Sequence, residues 1–425
     1  MLCRRDFVRY ASMGMLAPAF LRPFTAQAAD GNGIVIAISL AGGCDGLNTV
    51  IPLAQYGTYS QLRTPSVPGS AAQALNIPLA TLAATAFDSN PATPSSSASQ
   101  YAFHPAMSAL RTLYGSGRVA VLSGIGVTPD EVNRLSHEVG QFDWNSATVN
   151  TLGRSTTGWL GQAFDGTPDA NLPAMVSLTG QGPVLMNGKN NAPLVLSAPL
   201  EGFSLDTGTS NPADASARNS TFSAIRAETG PDATTEFVRG LSNSAASYVT
   251  KVQQMAQAQS AADYPKQTSF IGLQLQQIAR LILAGAGSRA YYAVHGGFDS
   301  HSNQNQSHPR LVGQLSDAMS TFYNYLKAKG ASSNVALMTF TDFGRRAKAN
   351  ANYGTDHGTA AINFVVGDPV RGGVYGQYPD LTKLDTNGNL QIQVDFRNQI
   401  SDVIQYLGAD PSTIVGKSYS KLGFI

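Results

Sequence analysis

Cysteine is almost missing: the 425 residues include two, and one of them, Cys3, falls in a leader segment at the N-terminus. Only Cys44 then remains, so no internal disulfide can form even in an oxidising compartment. Cys44 has no adjacent histidine or basic residue to lower its pKa, and it reads as a packing residue. Charge is also scarce, at 13% of residues, and a net charge of +1 provides no basic field to draw nucleic acid. No apolar run reaches the ~20 residues of a membrane-spanning helix, so no transmembrane segment is expected in the mature chain. Internal repeats are missing too. What is present is 43% hydrophobic residues and 42 glycines: the composition of a globular protein with a sizeable core and long loops, in one large or two ordinary domains.

The first residues read as an address. Cys3-Arg4-Arg5-Asp6-Phe7-Val8-Arg9 resembles the twin-arginine export signal, a weakly apolar segment runs from Tyr10 to Phe20, and Ala26-Gln27-Ala28 is a small-x-small cleavage site. The expectation is a signal peptide over residues 1–28, passage through the twin-arginine translocase, and a periplasmic or secreted mature chain from residue 29. Removing Arg4, Arg5, Arg9, Arg22 and Asp6 from 28 basic and 27 acidic residues leaves 24 and 26. That export route carries chains already folded, often with a metal or cofactor inserted, which suits a metal-bearing protein.

Apolar runs of strand length alternate with helical periodicity through the mature chain. Strands are expected at Gly33–Leu40, Val119–Leu122, Ala290–Val294, Val335–Phe340, Ile362–Val366 and, more polar, Leu390–Val394. Helices are expected after His104-Pro105, after Ser136, over Ile271–Ile282, from His308-Pro309 to Leu326, and around Ile400–Leu407. This alternation predicts an α/β fold, a mostly parallel sheet covered by helices on both faces. From about 166 to 265 the pattern weakens into Ser, Thr, Asn and Ala-rich loops such as Asn211–Ser220, which reads as an irregular insertion or cap. Thr93–Ser99 is low in complexity.

Chemistry-bearing residues gather at the strand ends. Asp45 follows the first strand in AGGCDGLN, Asp299 and His301 follow another in HGGFDSHS, and Asp342, Arg345, Asp356 and His357 flank the last pair in TDFGRR and GTDHG. Open α/β sheets keep their ligands at such ends. Mixed carboxylate and imidazole donors suit a divalent ion such as zinc, manganese or calcium. Asp45, Asp299, His301, Asp342 and His357 are the candidate ligands, and Arg345 is a candidate fork for the free oxygens of a phosphoryl or sulfuryl group. Ser136, at a helix start, is either a nucleophile or an N-cap.

Six motifs, the twin-arginine start, AGGCDGLNTVIPL, LSHE, GGFDSHSNQ, FTDFGRR and GTDHG, span nearly all of the mature chain. Together they resemble the exported domain-of-unknown-function family 1501, which groups with the alkaline-phosphatase and sulfatase superfamily. The resemblance implies an alkaline-phosphatase-like fold in which Asp45 and Asp342 share one ion, Asp299, His301 and His357 hold another, and Ser136 is the nucleophile. Three departures stand out. Only Ser300 separates Asp299 from His301, where the phosphatase pair is separated by three residues. Phe343 occupies the place of a phosphatase histidine ligand, which makes one ion as good an expectation as two. The Cys/Ser-x-Pro-x-Arg pattern of formylglycine sulfatases is absent. The reading is an exported, metal-dependent hydrolase of phosphate or sulfate esters, acting on a small-molecule or glycan ester. The alternative is a non-catalytic periplasmic binding or secretion-associated protein on the same fold.

Overall fold

The run IVIAISLA is interrupted by a single serine, and it forms a central strand, β1 (Ile34–Ala41). Its side chains serve two cores at once. Ile36, Ile38 and Leu40 enter one apolar cluster and Val35 and Ala37 the other, because successive residues of a strand face opposite ways. A sheet covered on both faces needs such unbroken apolar strands.

The structure is a computed structural model, and it describes residues 31–64, 74–91, 99–127, 135–149, 155–200, 203, 211–228 and 232–425. The expected leader, 1–28, and most of Thr93–Ser99 lie outside the described residues. The main sheet also contains β2 (Val119–Gly126), β3 (Met175–Ser177), β4 (Leu194–Val195), β5 (Ala290–Gly296), β6 (Val335–Thr341), β7 (Ala361–Gly367), β8 (Gly373–Tyr375) and β9 (Val394–Asp395). Its order is β8-β2-β7-β6-β1-β5-β3-β4, with β9 beside β2. β1 pairs in parallel with both β5 and β6. β7 runs against its neighbours, antiparallel to β6 and to β2.

That reversal positions the site. The start of β7 lies beside the end of β6, so residues just before β7 and just after β6 meet at one sheet edge. The same edge receives the turns that leave β1 and β5.

The described helices include α1 (Tyr56–Arg63), α2 (Ser108–Gly115), α3 (His137–Ser146), α4 (Pro212–Ala227), α5 (Ala233–Ala258), α6 (Phe270–Leu283), α7 (Gln304–Ala328) and α8 (Phe396–Tyr406). Leu110 and Leu113 of α2, Ile271, Leu275 and Ile278 of α6, and Leu311, Leu315 and Phe322 of α7 fill one face of the sheet. Trp144 of α3 and Phe396, Ile400 and Val403 of α8 fill the other. The fold is therefore the mixed, mostly parallel, helix-covered sheet expected.

Three local expectations need correction. Asn211–Ser220 is not a loop: Asn211 caps α4, and its side chain accepts from the Ala213 N–H. Alanine's helix propensity and a good cap outweigh the serine and asparagine content. β3 and β4, at 175–177 and 194–195, extend the main sheet, so this part of 166–265 is sheet edge. α7 begins at Gln304, ahead of His308, and carries Pro309 inside it.

Candidate metal centre

Asp342 emerges from β6 at the sheet edge where β7 begins, and it is almost wholly buried. Its Oδ2 accepts from the Gly42 N–H at 3.1 Å, from Gln141 Nε2 at 3.3 Å, and from His137 Nδ1 at 2.7 Å. Its Oδ1 is buried with no hydrogen-bond partner, and an uncompensated carboxylate oxygen out of water is costly. Gly42 makes the approach possible. It sits at φ 115°, and a Cβ there would lie 2.4 Å from the Asp299 backbone nitrogen.

His137 opens α3. Gln141 stands one turn later on the same helix face, so both reach Asp342 together. His357 is positioned by a two-residue antiparallel pairing of Gly344–Arg345 with His357–Gly358. Its Nδ1 lies 2.5 Å from the Leu135 carbonyl oxygen. Asp299 and His301 lie on the turn after β5.

These side chains converge on the Asp299 carboxylate. His137 Nε2 is 3.4 Å from Oδ2, His357 Nε2 is 3.2 Å and His301 Nε2 3.1 Å from Oδ1. The ring centroids of His137 and His357 are 4.7 Å apart and those of His301 and His357 4.6 Å. One donor atom from each of His137, Asp299 and His357 falls within 4.8 Å of the others.

The Leu135 carbonyl can only accept, so His357 Nδ1 carries a proton. The Asp342 carboxylate holds the Nδ1 proton of His137 in the same way. A neutral imidazole has one donor and one acceptor nitrogen, so in their neutral forms both rings present an Nε2 lone pair. Each lone pair then faces the Asp299 carboxylate, at 3.4 Å from His137 and 3.2 Å from His357, an arrangement that repels unless a positive charge lies among them. Ligand atoms on a tetrahedral ion with bonds of about 2.1 Å would be about 3.4 Å apart. The donor set and the orphaned Asp342 oxygen both fit a divalent ion. A carboxylate or carbonyl behind the metal-facing histidine is the usual second layer of such a site.

Charge keeps these groups in the binding form. Partial burial works against ionisation of Asp299, but the hydrogen bond and charge of Arg345 outweigh it and hold the carboxyl at about 2. Burial lowers the pKa of His357, against the pull of the Leu135 carbonyl and Asp299, so the ring stays neutral at pH 7.

The remaining candidates fall in different places. His301 lies at the rim, half exposed, 3.6 Å by Nδ1 from Asp356. Ser136 is exposed and occupies the N-cap position of α3, yet its side chain makes no capping hydrogen bond. Phe343 packs against His357 and His137, with centroids 4.2 and 4.9 Å away.

Arg345 and Asp45 depart from the roles expected of them. Arg345 is fully buried and donates to the carbonyls of Gly43, Thr355, Gly42 and Phe298 and to Asp299 Oδ1. Those partners engage all three of its nitrogens, so it braces the loops and offers no fork to a substrate. Asp45 is separated from the cluster by its own partners: Arg63 grips it through both oxygens at 2.6 and 2.7 Å. His137, by contrast, is a site residue that the motif reading passed over. The signal was present: LSHE places it beside Ser136, with Gln141 four residues on.

The sequence pattern described as "Protein of unknown function (DUF1501)" matches residues 33–417. The chain belongs to the DUF1501 family. No curated protein sequence matches this DUF1501 chain. Solved structures similar to it include a protein in the alkaline phosphatase superfamily from Vibrio parahaemolyticus (9% identity, TM-score 0.39, covering 97% of this chain and 76% of that one). Others are the lipoteichoic acid synthase LtaP from Listeria monocytogenes (8%, 0.33, 95% and 78%) and the phosphonate monoester hydrolase SpPMH from Silicibacter pomeroyi (10%, 0.30, 74% and 72%). Likenesses this distant carry no chemistry to the DUF1501 site, which has to be read from its own residues.

Proposed function

We propose that the chain is an exported, metal-dependent hydrolase of a phosphate or sulfate ester, with its centre at His137, Asp299 and His357. The observation that carries the reading is the convergence of two imidazole Nε2 atoms on the one Asp299 carboxylate. His137, Asp299 and His357 would hold the ion, with His301 beside them. A divalent ion in such a place polarises an ester oxygen and favours a charged nucleophile.

The protein's own groups do the rest. Asp342 and the Leu135 carbonyl keep both histidines protonated on Nδ1 and turned inward. Arg345 fixes the Asp299 carboxylate through a 2.6 Å bond. Ser136 is the nucleophile in this reading: its hydroxyl is exposed, spends no bond on capping its helix, and precedes His137. The leader at Cys3–Arg9 supports delivery through the twin-arginine translocase to the periplasm or beyond, where a small-molecule or glycan ester is the substrate.

The test is turnover of aryl phosphate, phosphate diester and aryl sulfate by metal-loaded protein, alongside its metal content. Ser136→Ala should abolish turnover while leaving bound metal unchanged, and His357→Ala should lose both. A metal-loaded protein inert toward every ester would favour the second reading, a periplasmic binding or secretion-associated protein. The burial of Arg345 away from any substrate is the observation on that side.

A further inference from the structure

The resemblance left open whether the centre takes one ion or two, and the geometry points to one. We propose that a single divalent ion binds, and that two buried guanidinium groups, Arg63 and Arg345, stand as permanent charges on the carboxylates a second ion would need. This rests on the reading of His137, Asp299 and His357 as ligands.

Asp45 is the first of those carboxylates. It and Arg63 are both buried, at 1% and 0% side-chain exposure. Its Oδ1 accepts from Arg63 Nη2 at 2.7 Å and from the Leu47 N–H at 3.1 Å. Its Oδ2 accepts from Arg63 Nη1 at 2.6 Å and Gln304 Nε2 at 2.5 Å. A carboxylate has about four lone-pair sites, and four donors occupy them. A cation could bind Asp45 only by displacing an arginine that has no route to water. The bidentate pair also outweighs burial and lowers the Asp45 pKa, so the carboxylate stays charged and matched.

Asp299 is the second. Its Oδ1 is taken at 2.6 Å by Arg345 Nη2, and Arg345 is locked by four backbone carbonyls. The Oδ2 side, facing His137, is the one left for an ion. Asp342 is the third. Its Oδ2 is spent on Gly42, Gln141 and His137; its Oδ1 is left without a partner, but the residue after it, Phe343, presents a ring with no ligand atom, and no group of three donors among the described residues includes Asp342. What remains among the described residues is one compact donor group, His137, Asp299 and His357. A second divalent ion would also stand against the fixed positive charge of Arg345.

The role of Gln304 comes from the same network. Its Oε1 accepts from Ser300 Oγ at 3.0 Å and Thr355 Oγ1 at 2.8 Å, while its amide holds Asp45. The Asp45–Arg63 pair is thereby tied to both loops that carry Asp299 and His357, and it positions them without touching the ion.

The experiment is calorimetric titration of the metal-free full chain with Zn²⁺, and separately with Mn²⁺, with native mass spectrometry of the loaded protein. One ion per chain is expected. The double variant Asp45→Asn with Arg63→Met removes the pair without stranding a buried charge. It is expected to keep one ion per chain, bound more weakly than in the wild type because the pair positions the loops that carry Asp299 and His357. His137→Ala should lose the ion. Two ions per wild-type chain, or loss of an ion in the double variant, would overturn the proposal while leaving a metal centre in place. No ion on the wild-type chain would remove both the proposal and the reading beneath it.

Discussion

His137 has one nitrogen committed to Asp342 and the other turned toward Asp299. His137→Ala should therefore remove a ligand, and Asp342→Asn should weaken the ion by about 10–100-fold, the range for loss of a supporting carboxylate. Competition against a fluorescent zinc chelator would read both. An Asp342→Asn variant with wild-type affinity would show that the 2.7 Å contact supports nothing. The buried pair makes a different prediction. Arg63→Met alone leaves Asp45 charged and unmatched, and should cost roughly 3–5 kcal/mol in denaturant unfolding, with the double replacement recovering most of it. That Asp299, His301, Asp342 and His357 come together was legible in the sequence because acidic and imidazole residues stand at strand ends. The fate of Asp45 was not. Its partner Arg63 comes from a helix 18 residues away, and no local pattern announces a buried ion pair.

At the scale of elements, the centre depends on how closely α3 lies against the end of β6. Gly140 makes that contact: a Cβ there would sit 2.3 Å from the Asp342 carbonyl oxygen. Gly140→Ala should push α3 outward and carry His137 away from Asp299. Alanine favours helix over glycine by about 1 kcal/mol, so helicity by circular dichroism should hold or rise while metal affinity falls. Unchanged affinity would mean the helix position is not what sets the site. The strands were readable because runs such as IVIAISLA and VALMTF are of strand length, contain β-branched residues and stop at turn signals, which decides between strand and buried helix. The direction of β7 was not readable, since an apolar run looks the same whichever way it pairs. Yet that reversal brings His357 beside Asp342. α4 was misread because its serines and asparagines resemble a loop until Asn211 is recognised as a cap.

Across the whole molecule, three buried histidines set the response to acid. Burial lowers the pKa of His104, helped by the charge of His308, to about 4; His295 and His308 are also lowered, chiefly by burial. The ordinary value in an unfolded chain is about 6.5. Between these values the unfolded state binds more protons than the native one, so stability is full above about pH 6.5 and is lost as pH falls toward 4. His104 alone would contribute roughly 3 kcal/mol of that loss. Unfolding free energies measured from pH 8 to pH 4 should show the decline, with His104→Asn flattening it; a curve level through that window would contradict the burial of neutral rings. The same whole-molecule measurement should respond to metal: with free ion at 100 times its Kd, the native state gains about 2.7 kcal/mol.

The most direct measurement is anomalous diffraction from a crystal equilibrated with zinc. The account predicts one anomalous peak about 2.0–2.2 Å from His137 Nε2, His357 Nε2 and an Asp299 carboxylate oxygen. A zinc-saturated crystal with no peak among these atoms, or with its peak on Asp45 in place of Arg63, would contradict it.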